Sequence, residues 1–185
     1  MSYKEKPEHW TLIDVLAPII LQNVEGCIVD IGIGASTTVL AKHAVVFGRK
    51  HYSCDQGRRF CRWAERELRT PIVFCGDSTV FIKEFSDVPI ALAFHDGSHQ
   101  HHIVINETRL LLDKLSPGGV LFIHDTYPHP DFVTENGSKC GDLYRTRQEL
   151  EQDDSLQVFT WIYTAFNFGV TMVMRKEINQ PKCRS

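Results

Sequence analysis

Acids stand at the ends of apolar runs five times in this chain. Asp30 follows Ile28-Val29, Asp55 follows His51-Tyr52-Ser53-Cys54, and Asp77 follows Ile72-Val73-Phe74-Cys75-Gly76. Asp96 and Asp125 repeat the pattern after the runs 90–94 and 120–123, with His95 and His124 immediately before them. A single acid in such a place is an ordinary turn residue. Five in corresponding places put carboxylates and imidazoles along one edge, where they can accept hydrogen bonds from hydroxyl-bearing or cationic ligands. The first run also stops at two glycines one residue apart, Gly32 and Gly34, followed by Ala35-Ser36-Thr37-Thr38. Strand, glycine turn and helix form the first half of a βαβ unit, and a turn without side chains lets backbone N–H groups approach a ligand. With Asp30 beside it, this turn points toward a nucleoside-type cofactor.

The elements that must position these residues can be read from the periodicity. Strands are expected over 27–31, 51–54, 72–75, 90–94 and 120–123, the last led in by the turn Ser116-Pro117-Gly118-Gly119. Helices are expected over about 36–46, 58–68, 79–85 and 100–115, with Leu110, Leu111 and Leu115 of the last facing the core. Ahead of them, Trp10, Ile13, Ala17, Ile20 and Leu21 make a helical stripe over 8–22, which Pro18 should kink or divide. The segment 1–25 is expected to lie against the sheet as an entrance flap. After 125 the pattern changes. The stretch 126–141, with Tyr127, Pro128, His129, Pro130 and Phe132, is too long for an ordinary connection and reads as a functional segment. A helix over 142–152 precedes strands over 156–164 and 169–175, joined by a turn containing Asn167 as an antiparallel hairpin. The tail at 180–185 is expected to fray. Repeated alternation means an α/β fold: a doubly wound sheet of about seven strands, mostly parallel, closed by the hairpin. Ligands of such sheets bind beyond the carboxyl ends of the strands.

Composition narrows the partners. The chain has 185 residues, 43% apolar and 23% charged, which suits one soluble domain with a substantial core. A net charge of −3 argues against nucleic acid as the main partner. The basic cluster Arg58, Arg59, Arg62, Arg66 and Arg69 is interleaved with Glu65 and Glu67 and reads as a solvated helix face. Six cysteines form no C-x-x-C pair, which implies free thiols and a reducing, cytoplasmic setting. No signal peptide is visible, and the most apolar segment, interrupted by Asp14 and Pro18, is too short to cross a bilayer.

Over roughly 24–176 the chain resembles the class I S-adenosylmethionine-dependent methyltransferases, in particular small-molecule O-methyltransferases of catechol-type and cephalosporin-hydroxylase-like kinds. Asp30-Ile31-Gly32-Ile33-Gly34 is similar to the family's first cofactor motif. The resemblance implies S-adenosylmethionine as cofactor, held at Asp30, Gly32, Gly34 and Ser36. It implies that Asp55, with Gln56 beside it, binds both ribose hydroxyls. Gly76-Asp77-Ser78 resembles the segment contacting adenine, where the plainer alternative is a turn and helix cap. His95 falls with the cofactor contacts as well. Ser36 replaces the third glycine of the usual turn, and Thr37 stands where a strict G-x-G-x-x-G needs its last glycine, which argues against NAD.

The catalytic assignment also rests on the resemblance. In metal-dependent relatives the acid after the fourth strand and two residues after the fifth bind a divalent cation that orients and acidifies the substrate hydroxyl. Asp96, His124 and Asp125 occupy those positions, and His99 falls where that group places its general base, with Asp96 the second catalytic candidate. A histidine among the ligands suggests a softer metal than magnesium, or none. His101 and His102 are expected exposed at a helix start. The segment 126–141 becomes the substrate lid, and Trp10 and Trp161 candidate pocket walls. The expected reaction is methyl transfer to a hydroxyl, or another nucleophile, of a small molecule, by a chain that can pair as a homodimer and needs neither nucleic acid nor membrane. The alternative is a non-catalytic member that binds the cofactor or a partner protein.

Overall fold

The computed structural model describes residues 8–86, 89–130, 133–134, 137–138, 140–162, 165 and 168–176. Phe132, Asn167, Cys183 and the tail at 180–185 lie outside the described residues. The chain opens with α1 (His9–Asn23), β1 (Cys27–Ile31), α2 (Ala35–Phe47), β2 (His51–Asp55) and α3 (Arg58–Glu67). It continues through β3 (Pro71–Cys75), α4 (Ser78–Glu84), β4 (Ile90–His95), α5 (His101–Lys114) and β5 (Leu115–His124). Two short strands, β6 (Val133–Thr134) and β7 (Gly137–Ser138), pair antiparallel within the long connection. Then come α6 (Leu143–Glu151), β8 (Leu156–Trp161) and β9 (Val170–Arg175).

The main sheet has seven strands in the order β3-β2-β1-β4-β5-β9-β8. The first five are parallel, while β9 runs antiparallel to both β5 and β8, so the expected closing hairpin is present. The order reverses beside β1, where the connection after β3 returns to the far side as β4. Ligands gather at such a switch point. Two boundaries differ from the sequence expectation. Ile90 pairs with Leu115 and Leu92 with Val120, so β5 begins at Leu115 and Ser116–Gly119 bulges out opposite Ala91. Pairing with β4 sets that register, which local turn chemistry does not disclose. Strand β8 stops at Trp161. Pro18 lies within α1, which runs as one helix.

Both faces of the sheet are covered. On one, α4, α5 and α6 bury Phe81, Val104, Leu111 and Leu150 against Val29, Ile31, Leu121 and Ile123. Leu112 is buried there, whereas Leu110, expected inside, is only partly covered. On the other face α1 and α2 bring Ile13, Leu21 and Leu40 onto Ile28, Leu92, Phe94 and Phe122. Helix α3 makes a smaller cluster through Cys61 and Ala64 against Ile33, and its four arginines, like Arg69 beyond it, are exposed as expected. Side chains alternate along strands. His95 therefore follows Ala93 onto the α5 face, and His124 follows Phe122 onto the α1 face. Cys27, Cys54, Cys61, Cys75 and Cys140 are not in disulfide bonds. Burial pushes Cys54 up to about 12, so it acts as a small apolar side chain. Among the described residues no helix is long and apolar enough to cross a membrane.

Candidate active site

The carboxyl ends of β1, β2, β3 and β4 open into a cavity of about 560 Å3, lined by Gly32, Asp55, Gln56, Asp77, Ser78 and Asp96 among others. Its floor is a crossing of two backbones. Asp96 N–H donates to the Ile31 carbonyl at 2.7 Å, and a Cβ on Gly32 would stand 2.2 Å from the Asp96 carbonyl oxygen. Gly32 also has a φ of +93°, so chain crossing as well as ligand approach demands glycine here. Gly34 differs: nothing lies within 4 Å of its missing Cβ, and its N–H donates to Thr37 Oγ1 at 2.8 Å. It faces a separate hollow of about 680 Å3 beside Arg59 and Trp63, larger than the strand-end cavity but without its acids.

Asp55 is held rigidly. One carboxylate oxygen accepts the Ile33 N–H at 2.9 Å and the other the Gly57 N–H at 2.6 Å. Each oxygen retains a lone pair, so the side chain can still receive two hydroxyls. Asp77 caps α4, accepting the Val80 N–H at 3.0 Å, and also lines the cavity. Cap and cavity wall are therefore compatible roles for it.

Three of the expected cofactor contacts, Asp30, Ser36 and His95, sit behind the cavity wall, while Ser78 lines the cavity. Ser36 and Asp30 are buried in α2 and β1. Asp30 Oδ2 meets Ser53 Oγ at 3.4 Å, while Oδ1 has no partner among the described residues. Burial, opposed by hydrogen bonds from Thr37 and Ser53, pushes its carboxyl up to about 8, so it is mainly protonated at neutral pH. His95 and Ser78 converge on Glu107 of α5. His95 Nε2 is 2.6 Å from Glu107 Oε2, and Oε1 accepts from Ser78 at 2.6 Å and Thr79 at 2.7 Å. Burial acts to raise Glu107, but its hydrogen bonds with His95, Ser78 and Thr79 outweigh it and hold the carboxyl below the ordinary range. Sequence reasoning missed Glu107. Its signal was an acid on the buried stripe Val104, Thr108, Leu111.

Beyond the cavity, His9, Asp96, His99, His124 and Asp125 form one cluster. His124 Nδ1 lies 3.1 Å from Asp96 Oδ1 and 3.1 Å from Asp125 Oδ1. Asp125 has a φ of +62°, a left-handed conformation that aspartate tolerates and that turns its other oxygen to His99 Nε2 at 2.7 Å. That hydrogen bond raises the His99 pKa, with burial working against it. For Asp96 burial raises and the contact with His124 lowers, leaving it below the ordinary carboxylate range. Donor atoms capable of holding a metal fall into two groups, each within 4.8 Å: His9 with Asp96 and His124, and Asp96 with His99 and Asp125. The expected trio is thus divided between two groups that share Asp96. His9 comes from α1 and gave no sequence signal. Burial and the neighbouring His124 push it down to about 4.

The long connection is pinned at both ends of this cluster. Tyr127 N–H donates to the Phe168 carbonyl at 2.8 Å, and Arg147 lies 4.4 Å over the Tyr127 ring. At the other end Asp142 N–H donates to the His99 carbonyl at 3.2 Å, against which Gly141 packs too closely for any side chain. His101 is not exposed as expected. Its N–H donates to Asp142 Oδ1 at 2.6 Å and its ring meets Thr146 at 3.0 Å, whereas His102 is exposed. Trp10 stands edge-on to His9, 5.0 Å between centroids, while Trp161 packs on the α1-face core.

Comparison with known proteins identifies the fold. A family model described as a methyltransferase domain matches residues 29–126. No curated protein matches in sequence. An O-methyltransferase from Bacillus cereus, solved in complex with SAH, superposes with a TM-score of 0.74 at 15% identity, covering 95% of this chain and 84% of that one. A SAM-dependent methyltransferase from Geobacter sulfurreducens, solved with S-adenosyl-L-homocysteine, gives 0.61 at 17% identity and 92% coverage of both chains. An rRNA methylase from Streptococcus thermophilus gives 0.58 at 15% identity, covering 94% and 99%. The shared fold serves acceptors as different as these.

Proposed function

The chain belongs to the methyltransferase-domain family, and from that premise we propose that it uses S-adenosylmethionine to methylate a hydroxyl of a small molecule. The observation that carries the reading is His99, side chain 43% exposed and bonded to Asp125, standing between the cavity-wall residues Ser98 and Gln100. When bound, S-adenosylmethionine supplies a methyl group already activated by its sulfonium. The residues present fit it: Asp55 lines the cavity with a lone pair left on each carboxylate oxygen, and Gln56 and Asp77 line it beside the strand ends. The protein must then align the acceptor and remove its proton. His99 takes that proton, and Asp125 holds the imidazole and stabilises the cation that forms. A net charge of −3 favours a small-molecule acceptor over nucleic acid. Residues 131–132, 135–136 and 139 of the expected lid 126–141 lie outside the described residues.

Asp96 with His124, the part of the expected trio that shares one donor group, also fits a divalent ion. Ligands around an ion with bonds of ~2.1 Å stand roughly 3 Å apart, and His124 lies 3.1 Å from Asp96. An ion here would orient and acidify the acceptor hydroxyl.

Calorimetry with S-adenosylhomocysteine, followed by methyl transfer from labelled S-adenosylmethionine to a panel of catechols, phenols and hydroxy acids, tests the reading. Binding with turnover on at least one such acceptor is the expected result. Absence of binding at millimolar cofactor product overturns it, and binding with turnover only on ribosomal RNA overturns the small-molecule part.

A further inference from the structure

His9 is the one member of the strand-end cluster that arrives from an N-terminal helix. Leu12, Ile13, Ala17 and Leu21 fasten α1 to the sheet, and this packing carries the helix's first residue to the ends of β4 and β5. The His9 ring is stacked on Phe94, 5.5 Å between centroids and 10° between planes, and lies 3.8 Å from the His124 ring centroid. Its Nε2 is 3.8 Å from Asp96 Oδ2, beyond hydrogen-bond length, and its Nδ1 is buried with no partner among the described residues. Native interiors rarely leave a buried imidazole so poorly satisfied, and a coordinated cation is one way to satisfy it. Such a cation has a place: donor atoms of His9, Asp96 and His124 lie within 4.8 Å of one another. Two imidazole nitrogens and one carboxylate oxygen suit borderline divalent transition ions, whereas magnesium prefers oxygen ligands.

We propose that His9, Asp96 and His124 form a divalent transition-metal site whose third ligand is supplied by α1. The inference rests on the reading that the strand-end cluster holds an ion, but not on methyl transfer. It replaces Asp125 by His9 in the ligand set, which leaves Asp125 to its bond with His99. Because one ligand belongs to α1 and two to the loop and strand ends, a bound ion ties the first turn of the helix to the sheet.

The full chain, freed of metal with a chelator, is titrated with zinc by calorimetry and with cobalt by visible absorption, with S-adenosylhomocysteine affinity measured on the same samples. One equivalent of either ion is expected, with no displacement by millimolar magnesium. His9→Gln should weaken binding by more than about tenfold, the loss that even an outer partner of a ligand can cause, and alter the cobalt spectrum. His102→Gln, an exposed histidine of α5, should leave binding unchanged. Hydrogen exchange in the first turn of wild-type α1 should slow when zinc is added, a measurement that needs no variant. If wild type binds S-adenosylhomocysteine but neither ion, the metal site is overturned and the cofactor reading survives. Full binding by His9→Gln with loss in Asp125→Asn puts the ion on the other acids and overturns the role of His9, as does unchanged exchange in α1.

Discussion

Glu107 on α5 and His95 at the end of β4 lie 2.6 Å apart, with neither side chain more than 1% exposed. Through its second oxygen Glu107 also holds Ser78 and Thr79 in the first turn of α4. One acid thus joins the ends of β3 and β4, two walls of the cavity. Removing it strands the buried His95 and two half-buried hydroxyls, so Glu107→Ala should destabilise the fold by about 3–5 kcal/mol, read by urea unfolding. The pH dependence follows from the direction of its shift. The folded pKa lies below the ordinary value of 4.5, so the contribution is complete above that value and is lost as pH falls through the lowered one. The stability gap between wild type and Glu107→Gln should therefore close in acid. A gap that stays constant down to pH 3 would mean that the carboxylate charge contributes nothing.

Asp30 should show the opposite sign. Its folded pKa of about 8 lies above the ordinary 3.8, so between those values the folded chain keeps a proton that the unfolded chain has released. From this group alone, stability falls by about 1.4 kcal/mol per pH unit as pH rises through the window. Asp30→Asn, which stays neutral, should flatten the slope and be relatively most stable near pH 8. Parallel wild-type and variant curves of thermal midpoint against pH would show that Asp30 is ionised in the fold.

The two glycines of the first turn should respond differently. Gly32→Ala meets the Asp96 carbonyl at 2.2 Å with a φ of +93°, and both the contact and the conformation exclude a side chain. A loss of roughly 3 kcal/mol or more is expected. Gly34→Ala has open space and a φ of −164°, extended backbone open to any residue, so stability should change by less than about 1 kcal/mol. If cofactor binding depends on backbone approach at this turn, Gly34→Ala should weaken S-adenosylhomocysteine without changing the thermal midpoint.

What could be read from the sequence follows a physical division. The parallel strands and the closing hairpin announce themselves because each is a short apolar run bounded by turn residues, a signal local to the chain. Ser116–Gly119 was less legible: its residues read as a turn, and only pairing with Ile90 and Leu92 shows that β5 begins before them. Asp55 and Asp77 were found because a strand end and a helix cap are local. His95 was visible as a residue but not as a partner, since alternation decides which face it takes and α5 decides what it meets there. His9 carried no signal at all. Its place in the cluster depends on how α1 packs across β4 and β5, which is tertiary information.

The bond between His99 and Asp125 makes the sharpest kinetic prediction. His99 Nε2 is engaged by Asp125 at 2.7 Å, and the side chain is 43% exposed between the cavity-lining residues Ser98 and Gln100. If the other ring nitrogen takes the acceptor proton, His99→Gln should lower kcat by about 100- to 10,000-fold, with S-adenosylhomocysteine affinity changed less than about threefold. Asp125→Asn tests the second half of the pair without disturbing the backbone, because asparagine also tolerates the φ of +62° found there. It should bind the cofactor product as wild type does and fall between wild type and His99→Gln in kcat, since it still orients the ring but no longer stabilises the imidazolium. A structural role alone would move thermal stability and KM along with kcat. A loss confined to KM, or a His99→Gln enzyme within tenfold of wild type on its best acceptor, would remove His99 from the reaction and leave Asp96 as the base to examine.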